Sequence, residues 1–190
     1  MEVNIRQALQ AHTPRELLVP GRQLAAVLAP LYMHNGEYGL IFTKRSDTMH
    51  HHRGQISFPG GGYERQDTSL RQTALRESAE EIGLQPQHVN ILGQLDDLLT
   101  SNSNYQVRPF VGTIPYPYPF ELDQRETAYL IEVPLRFLRQ QNPAGEETRQ
   151  HEGRTVQSFF FDYEEHVIWG ATAKILKQFL DLLDRNDAAT

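Results

Sequence analysis

Three consecutive glycines, Gly60 to Gly62, stand just ahead of a segment whose acids have almost no basic neighbours. The segment "TALRESAEEIGL" (73–84) is built from strong helix formers, and Gly83 followed by Pro86 reads as its C-terminal stop. The spacing predicts a helix from about Ser69. At about 100° per residue, Glu77, Glu80 and Glu81 share one face with Leu75, Ala79 and Ile82 opposite, so the carboxylates are expected to point away from the core. A solvated acidic face normally carries Lys or Arg four residues after each Glu, yet neither occurs between Glu77 and Leu84, and Arg76 is the one local partner. Like-charge pairs and acids at the negative helix end together cost roughly 1–3 kcal/mol. A divalent cation accounts for that cost, since hard carboxylate oxygens suit Mg²⁺ or Mn²⁺ and the ion reverses the local field. The glycines fit the same picture as a turn where backbone approaches a ligand closely.

The rest of the chain is consistent with one domain, residues 1–190, since 190 residues at 39% hydrophobic content supply a full core. A net charge of −6 leaves no basic stripe for non-specific nucleic-acid binding. With no cysteine there are no disulfides and no thiolate metal sites, as in a reducing compartment. The first residues carry acids and no long apolar region, which is unlike a signal peptide, and no stretch approaches the ~18 apolar residues of a membrane span. A cytoplasmic protein without membrane partners is expected.

Along the chain, Ile5 and Leu9 mark a short peripheral helix, and "LAAVLAPLYM" (24–33) and "YGLIFTKRS" (38–46) flank the Asn35-Gly36 turn signal of a hairpin. Further strands are read at 89–97, 106–114, 127–133 and 154–163, with a Pro/Tyr-rich loop at 115–126. Ile175, Leu176, Phe179, Leu182 and Leu183 recur at helical spacing in a C-terminal helix. The expected fold class is α/β (α+β), a mixed β-sheet between α-helices.

The stretch from the glycines to Leu84 resembles the box of the Nudix hydrolase superfamily, GX5EX7REUXEEXGU with U apolar. Arg76, Glu77, Glu80, Glu81, Gly83 and Leu84 stand at its REUXEEXGU positions. Ser78 takes the place of the first apolar residue, and the upstream Glu position falls on Thr68, with Asp67 one residue too early. A shifted helix start is expected there.

Upstream, "IFTKRSDTMHHHRGQISFPGG" (41–61) is similar to LLTxRSxxLRxHxGQVxFPGG, the extended signature of the coenzyme A pyrophosphatase branch, and 104–112 and 167–176 also look like that branch. The likeness runs from about residue 24 to 176. It implies a Nudix fold and cleavage of coenzyme A to 3',5'-ADP and 4'-phosphopantetheine, with Mg²⁺ or Mn²⁺ held by Glu77, Glu80, Glu81 and the Gly61 carbonyl. Glu77 and Glu81 would be catalytic, Arg76 would orient Glu80 by an ion pair, and Glu126 would be a further ligand or general base. Arg45, His50, His52, Gln55 and Phe58 become candidate substrate contacts. His50 replaces the branch's Arg, so a charge there depends on pH. Arg45 and Arg53 face the alternatives of substrate phosphate or a surface acid, and Tyr116, Tyr118 and Phe120 those of a substrate groove or core cover. Hydrolysis of another nucleoside diphosphate derivative, such as ADP-ribose or NADH, and a non-catalytic nucleotide sensor both stay open. The retained Glu77, Glu80 and Glu81 favour catalysis.

Overall fold

The computed structural model describes residues 2–46, 54–100, 103–143, 145–151 and 153–188. In chain order the elements are α1 (Glu2–Ala11), β1 (Gln23–His34), β2 (Glu37–Arg45), β3 (Ile56–Ser57), β4 (Gly60–Gly62), α2 (Leu70–Ile82), β5 (Asn90–Gln94), β6 (Leu98–Leu99), β7 (Tyr105–Thr113), β8 (Thr127–Pro134), α3 (Leu135–Gln140), β9 (Glu147–His151), β10 (Arg154–Ser158), β11 (Phe161–Tyr163), β12 (His166–Ile168) and α4 (Gly170–Ala188). A short 3₁₀ turn, Pro86–His88, links α2 to β5.

The expected mixed sheet is present. Its strands run β3-β2-β1-β7-β5, with β8 on β2, β4 on β1 and β6 on β7. β1 pairs parallel to β7 along Gln23–Leu31, while its other pairings are antiparallel. The Asn35-Gly36 turn joins β1 to β2, and only the later half of β1 pairs with β2, at Leu31 to His34. The earlier half is thereby open to β4, which pairs at Ala25 to Val27. Gly60–Gly62 is thus an extended strand and not a turn. Period-two alternation sends neighbouring residues of β1 to opposite faces. Ala25, Ala29 and Leu31 join a core under α1, α3 and α4, whereas Ala26, Leu28 and Tyr32 join a second core under α2. Two apolar faces explain the near-continuous hydrophobic run in β1.

Two local expectations change. The strand read at 154–163 breaks into β10 and β11, and the break allows consecutive Phe160 and Phe161 both to be buried, which alternation on one strand forbids. The Pro/Tyr-rich loop covers core: Tyr116, Tyr118, Phe120 and Leu122 pack against the second cluster. Among the described residues no helix is long and apolar enough to cross a membrane.

Candidate active site

Helix α2 is held at both ends by its own sequence. Ser69 is the N-cap, its hydroxyl accepting from the Gln72 N–H at 3.2 Å. At the far end Gly83 adopts a left-handed φ of 70°, where its N–H reaches Ala79 O and the Leu84 N–H reaches Ser78 O. Two more terminal carbonyls are met from a distance, Ile82 O by the Glu121 N–H at 3.1 Å and Glu81 O by the Asp123 N–H at 3.0 Å. The 115–126 loop is thereby fastened to the end of α2, and the Ser46 N–H to Glu126 O bond of 2.8 Å fastens it to the end of β2.

The buried face of α2 comprises Thr73, Ala74, Ser78, Glu81 and Ile82; of the expected core residues Ile82 is fully buried and Leu75 packs partly on the second core, while Ala79 is only partly covered. Ser78 tolerates burial because its hydroxyl donates to Ala74 O at 2.7 Å, so a serine fits where the family pattern has an apolar residue. The expectation that all three carboxylates face away from the core fails at Glu81, which is only 4% exposed. The reason is β4: the Gly60 N–H donates to Glu81 Oε2 at 3.1 Å. From the end of β2, Arg45 Nη1 stands 3.9 Å from Glu81 Oε1. Burial nevertheless dominates, and with the charges of Glu126 and Glu77 it pushes the Glu81 carboxyl up to about 8 against the Gly60 and Arg45 contributions. Glu77 is also raised, first by burial, with Arg76 opposing and Glu80 and Glu126 adding to the rise. Glu126, though exposed, is thus electrostatically within the group.

Arg76 organises the acids. Its Nε and Nη2 donate to Asp67 at 2.9 and 3.0 Å, its Nη1 to Glu77 and Glu80 at 2.9 Å each, and its Nη2 to Gly62 O at 3.0 Å. These acceptors engage all five N–H groups of a guanidinium. Arg76 therefore has no donor left for a substrate and positions the acids, Glu77 as well as the expected Glu80. Asp67 is the residue that spacing alone missed. It lies in a turn closed by the Asp67 N–H to Glu64 O bond, and it accepts from Thr73 Oγ1 and the Glu64 N–H, both at 2.9 Å, besides Arg76. The turn brings this shorter acid to Arg76 from one residue earlier than the family position. Its hydrogen bonds to Arg76 hold the carboxyl down at about 2.

Gly61 touches Glu77: a Cβ added there would lie 2.5 Å from the carboxylate carbon and Oε2. The space is available to carboxylate because residue 61 has no side chain. Glu77 and Glu81 bring hard carboxylate oxygens, the donors Mg²⁺ and Mn²⁺ prefer, up to β4 around a buried acid that lacks a full counter-charge. Among the described residues no three acidic or histidine side chains already converge as a ligand shell. Glu77 and Glu80 lean on Arg76, and Glu81 on Gly60.

The remaining candidates separate. The Gln55 carbonyl accepts from the Arg45 N–H at 2.9 Å, next to the site. Phe58, expected as a substrate contact, is instead 3% exposed and stacks on Phe42 at 4.6 Å in the main core, so its ring has almost no surface left for a ligand. His50, His52 and Arg53 lie outside the described residues.

Comparison with known proteins agrees with this architecture. A model of the NUDIX domain matches residues 22–182. The Nudix hydrolase NudL of Photorhabdus laumondii is 36% identical over 173 residues, covering 91% of each chain. That of Yersinia enterocolitica is 40% identical over 156 residues, 81% of this chain and 78% of its own. A MutT/nudix family protein from Enterococcus faecalis has a similar structure, with a TM-score of 0.56 and 16% identity across 97% of this chain and 70% of its own. The MutT protein from Methanosarcina mazei Go1 gives 0.51 and 16% across 94% and 98%. At these identities the structures speak to the fold, and the fold is theirs. With the family model spanning the sheet, α2 and most of α4, the chain belongs to the Nudix hydrolase family.

Proposed function

We propose that this hydrolase cleaves the pyrophosphate bond of coenzyme A and its derivatives to 3',5'-ADP and 4'-phosphopantetheine, with Mg²⁺ or Mn²⁺ as cofactor. The observation that carries the hydrolytic reading is the buried Glu81 carboxylate against Gly60, beside a Glu77 held by Arg76 over Gly61. The coenzyme A reading rests on the stretch 41–61, whose described parts supply Arg45 and the glycine strand to the same acids.

In this reading Glu77, Glu80 and Glu81, with the Gly61 carbonyl, would hold the cation. When bound, the metal neutralises the pyrophosphate and lowers the pKa of an attacking water. Arg76 keeps Glu77 and Glu80 oriented through its two Nη1 hydrogen bonds. Arg45, at the end of β2, faces the phosphates. Water adds to one phosphorus, the bridging P–O bond breaks, and Glu126 accepts the proton at its carboxylate. Incubation of coenzyme A, ADP-ribose and NADH with the protein and Mg²⁺ tests the assignment. Coenzyme A should turn over fastest, with both phosphomonoester products; faster turnover of either rival would overturn it.

A further inference from the structure

A cavity of about 360 Å³ adjoins the acids, and Glu77 belongs to both. Its other borders include Gln23, Leu24, Tyr63, Glu64 and Tyr105. The size falls in the range of small-ligand pockets, roughly 300–1,000 Å³. Two aromatic residues border it, one just past β4 and one at the start of β7. Tyr63 follows β4, with its N–H bonded to Leu24 O at 2.8 Å and its hydroxyl donating to Asp67 O at 2.9 Å. The side chain is therefore fixed at both ends, yet the residue is 43% exposed. Tyr105 opens β7 in register with Gln23 and rests partly on the main core. Leu24, itself 37% exposed, extends the apolar wall, while the Gln23 amide and the Glu64 carboxylate supply polar groups.

A held ring that keeps an open face is a platform for another planar group, because little entropy is lost when something stacks on it. Of the two halves of a nucleotide pyrophosphate such as coenzyme A, the base is planar with a polar edge, and the pantetheine arm is a flexible chain that gains nothing from stacking. A base seated here has its phosphate directed to Glu77. We propose that this cavity is the base subsite, with Tyr63 as the stacking platform and Tyr105 as the second wall. The proposal deepens the reading of the chain as a nucleotide pyrophosphatase and rests on it.

Equilibrium binding of AMP and of ribose 5-phosphate, in the presence of Mg²⁺, isolates the base. The wild-type protein should bind AMP roughly tenfold more tightly than ribose 5-phosphate. Tyr63→Phe should keep that ratio, whereas Tyr63→Leu should bring it close to one by weakening AMP alone. Tyr105→Leu provides an independent variant that leaves the Asp67 contact intact, and it should also reduce the ratio. A wild-type ratio near one, or a ratio that neither leucine variant changes, would overturn the proposal. No turnover is involved, so the outcome is separate from the choice of coenzyme A. A high ratio without coenzyme A hydrolysis removes only the substrate assignment, and hydrolysis with a flat ratio removes only the subsite.

Discussion

Two buried aspartates in this protein each accept a two-pronged hydrogen bond from an arginine, and they serve different ends. Asp67 takes Nε and Nη2 of Arg76, and Asp97 takes Nε and Nη2 of Arg108 at 2.8 and 2.9 Å; both carboxylates are fully buried. Around Asp97 the further partners are chain segments: the Leu17 N–H at 2.8 Å, Gln106 Nε2 at 3.0 Å, and Glu16 on Arg108 at 3.1 Å. This pair ties residues 15–19 across β7. Around Arg76 the further partners are Glu77 and Glu80, acids of the site, and the carbonyl of Gly62. The same bond geometry fastens backbone in one region and aims carboxylates in the other. An ion pair identified by its geometry thus reveals its role only through what else the arginine touches.

The contrast can be broken from either side. The largest effect is expected at the acids themselves. Glu81→Gln, and separately Glu77→Gln, should lower turnover about a thousandfold, the scale of several kcal/mol of lost charge stabilisation. Steady-state kinetics with Mg²⁺ checks this, and the metal-free variants should melt no earlier than the wild type, because glutamine removes an acid whose charged form burial disfavours. Next, Arg76→Ala and Arg108→Ala should each cost ~3–5 kcal/mol in denaturant unfolding, since each strands a buried carboxylate.

Titration sharpens the difference within the site. Asp67, lowered to about 2, adds stability that is complete above the ordinary carboxyl range and is lost as pH falls toward 2. Glu81, raised to about 8, acts in the opposite sense: the metal-free fold keeps its proton, and the stability this gives is lost as pH rises from the ordinary carboxyl range through about 8. Thermal melts across pH should therefore show Asp67→Asn flattening the acid limb and Glu81→Gln flattening the alkaline one. The smallest effect is expected at Ser78→Ala, whose one hydrogen bond to Ala74 O is worth ~1 kcal/mol or less and whose loss should leave turnover unchanged.

Legibility in the sequence differed along similar lines. Local patterns carried well: the Asn35-Gly36 turn, the apolar run of β1, the start of α2 near Ser69, and the buried stripe of α4 all follow from short-range rules. The box motif paired Arg76 with Glu80, and the two are in contact at 2.9 Å. What did not carry depends on partners far along the chain. Glycines have no strand propensity, so β4 was invisible, and without β4 nothing in α2 explains why Glu81 is buried. Asp67 stands off the motif register and is recovered only by the turn that redirects it. Phe58 matched a signature by type while its ring was claimed by Phe42. The capping of α2 by Glu121 and Asp123 has no local signal at all.

On the proposed function, Arg76 positions acids used in hydrolysis, while Arg108 serves only the fold. Lysine keeps the charge at either place but loses the planar fork. The decisive measurement is kcat of Arg76→Lys and Arg108→Lys with Mg²⁺ and the best substrate, normalised to the folded fraction. The account predicts a roughly 10–100-fold fall for Arg76→Lys, the range seen when a group that orients metal ligands is lost, and an unchanged kcat for Arg108→Lys. Equal falls in both variants, or full turnover in Arg76→Lys, would contradict it.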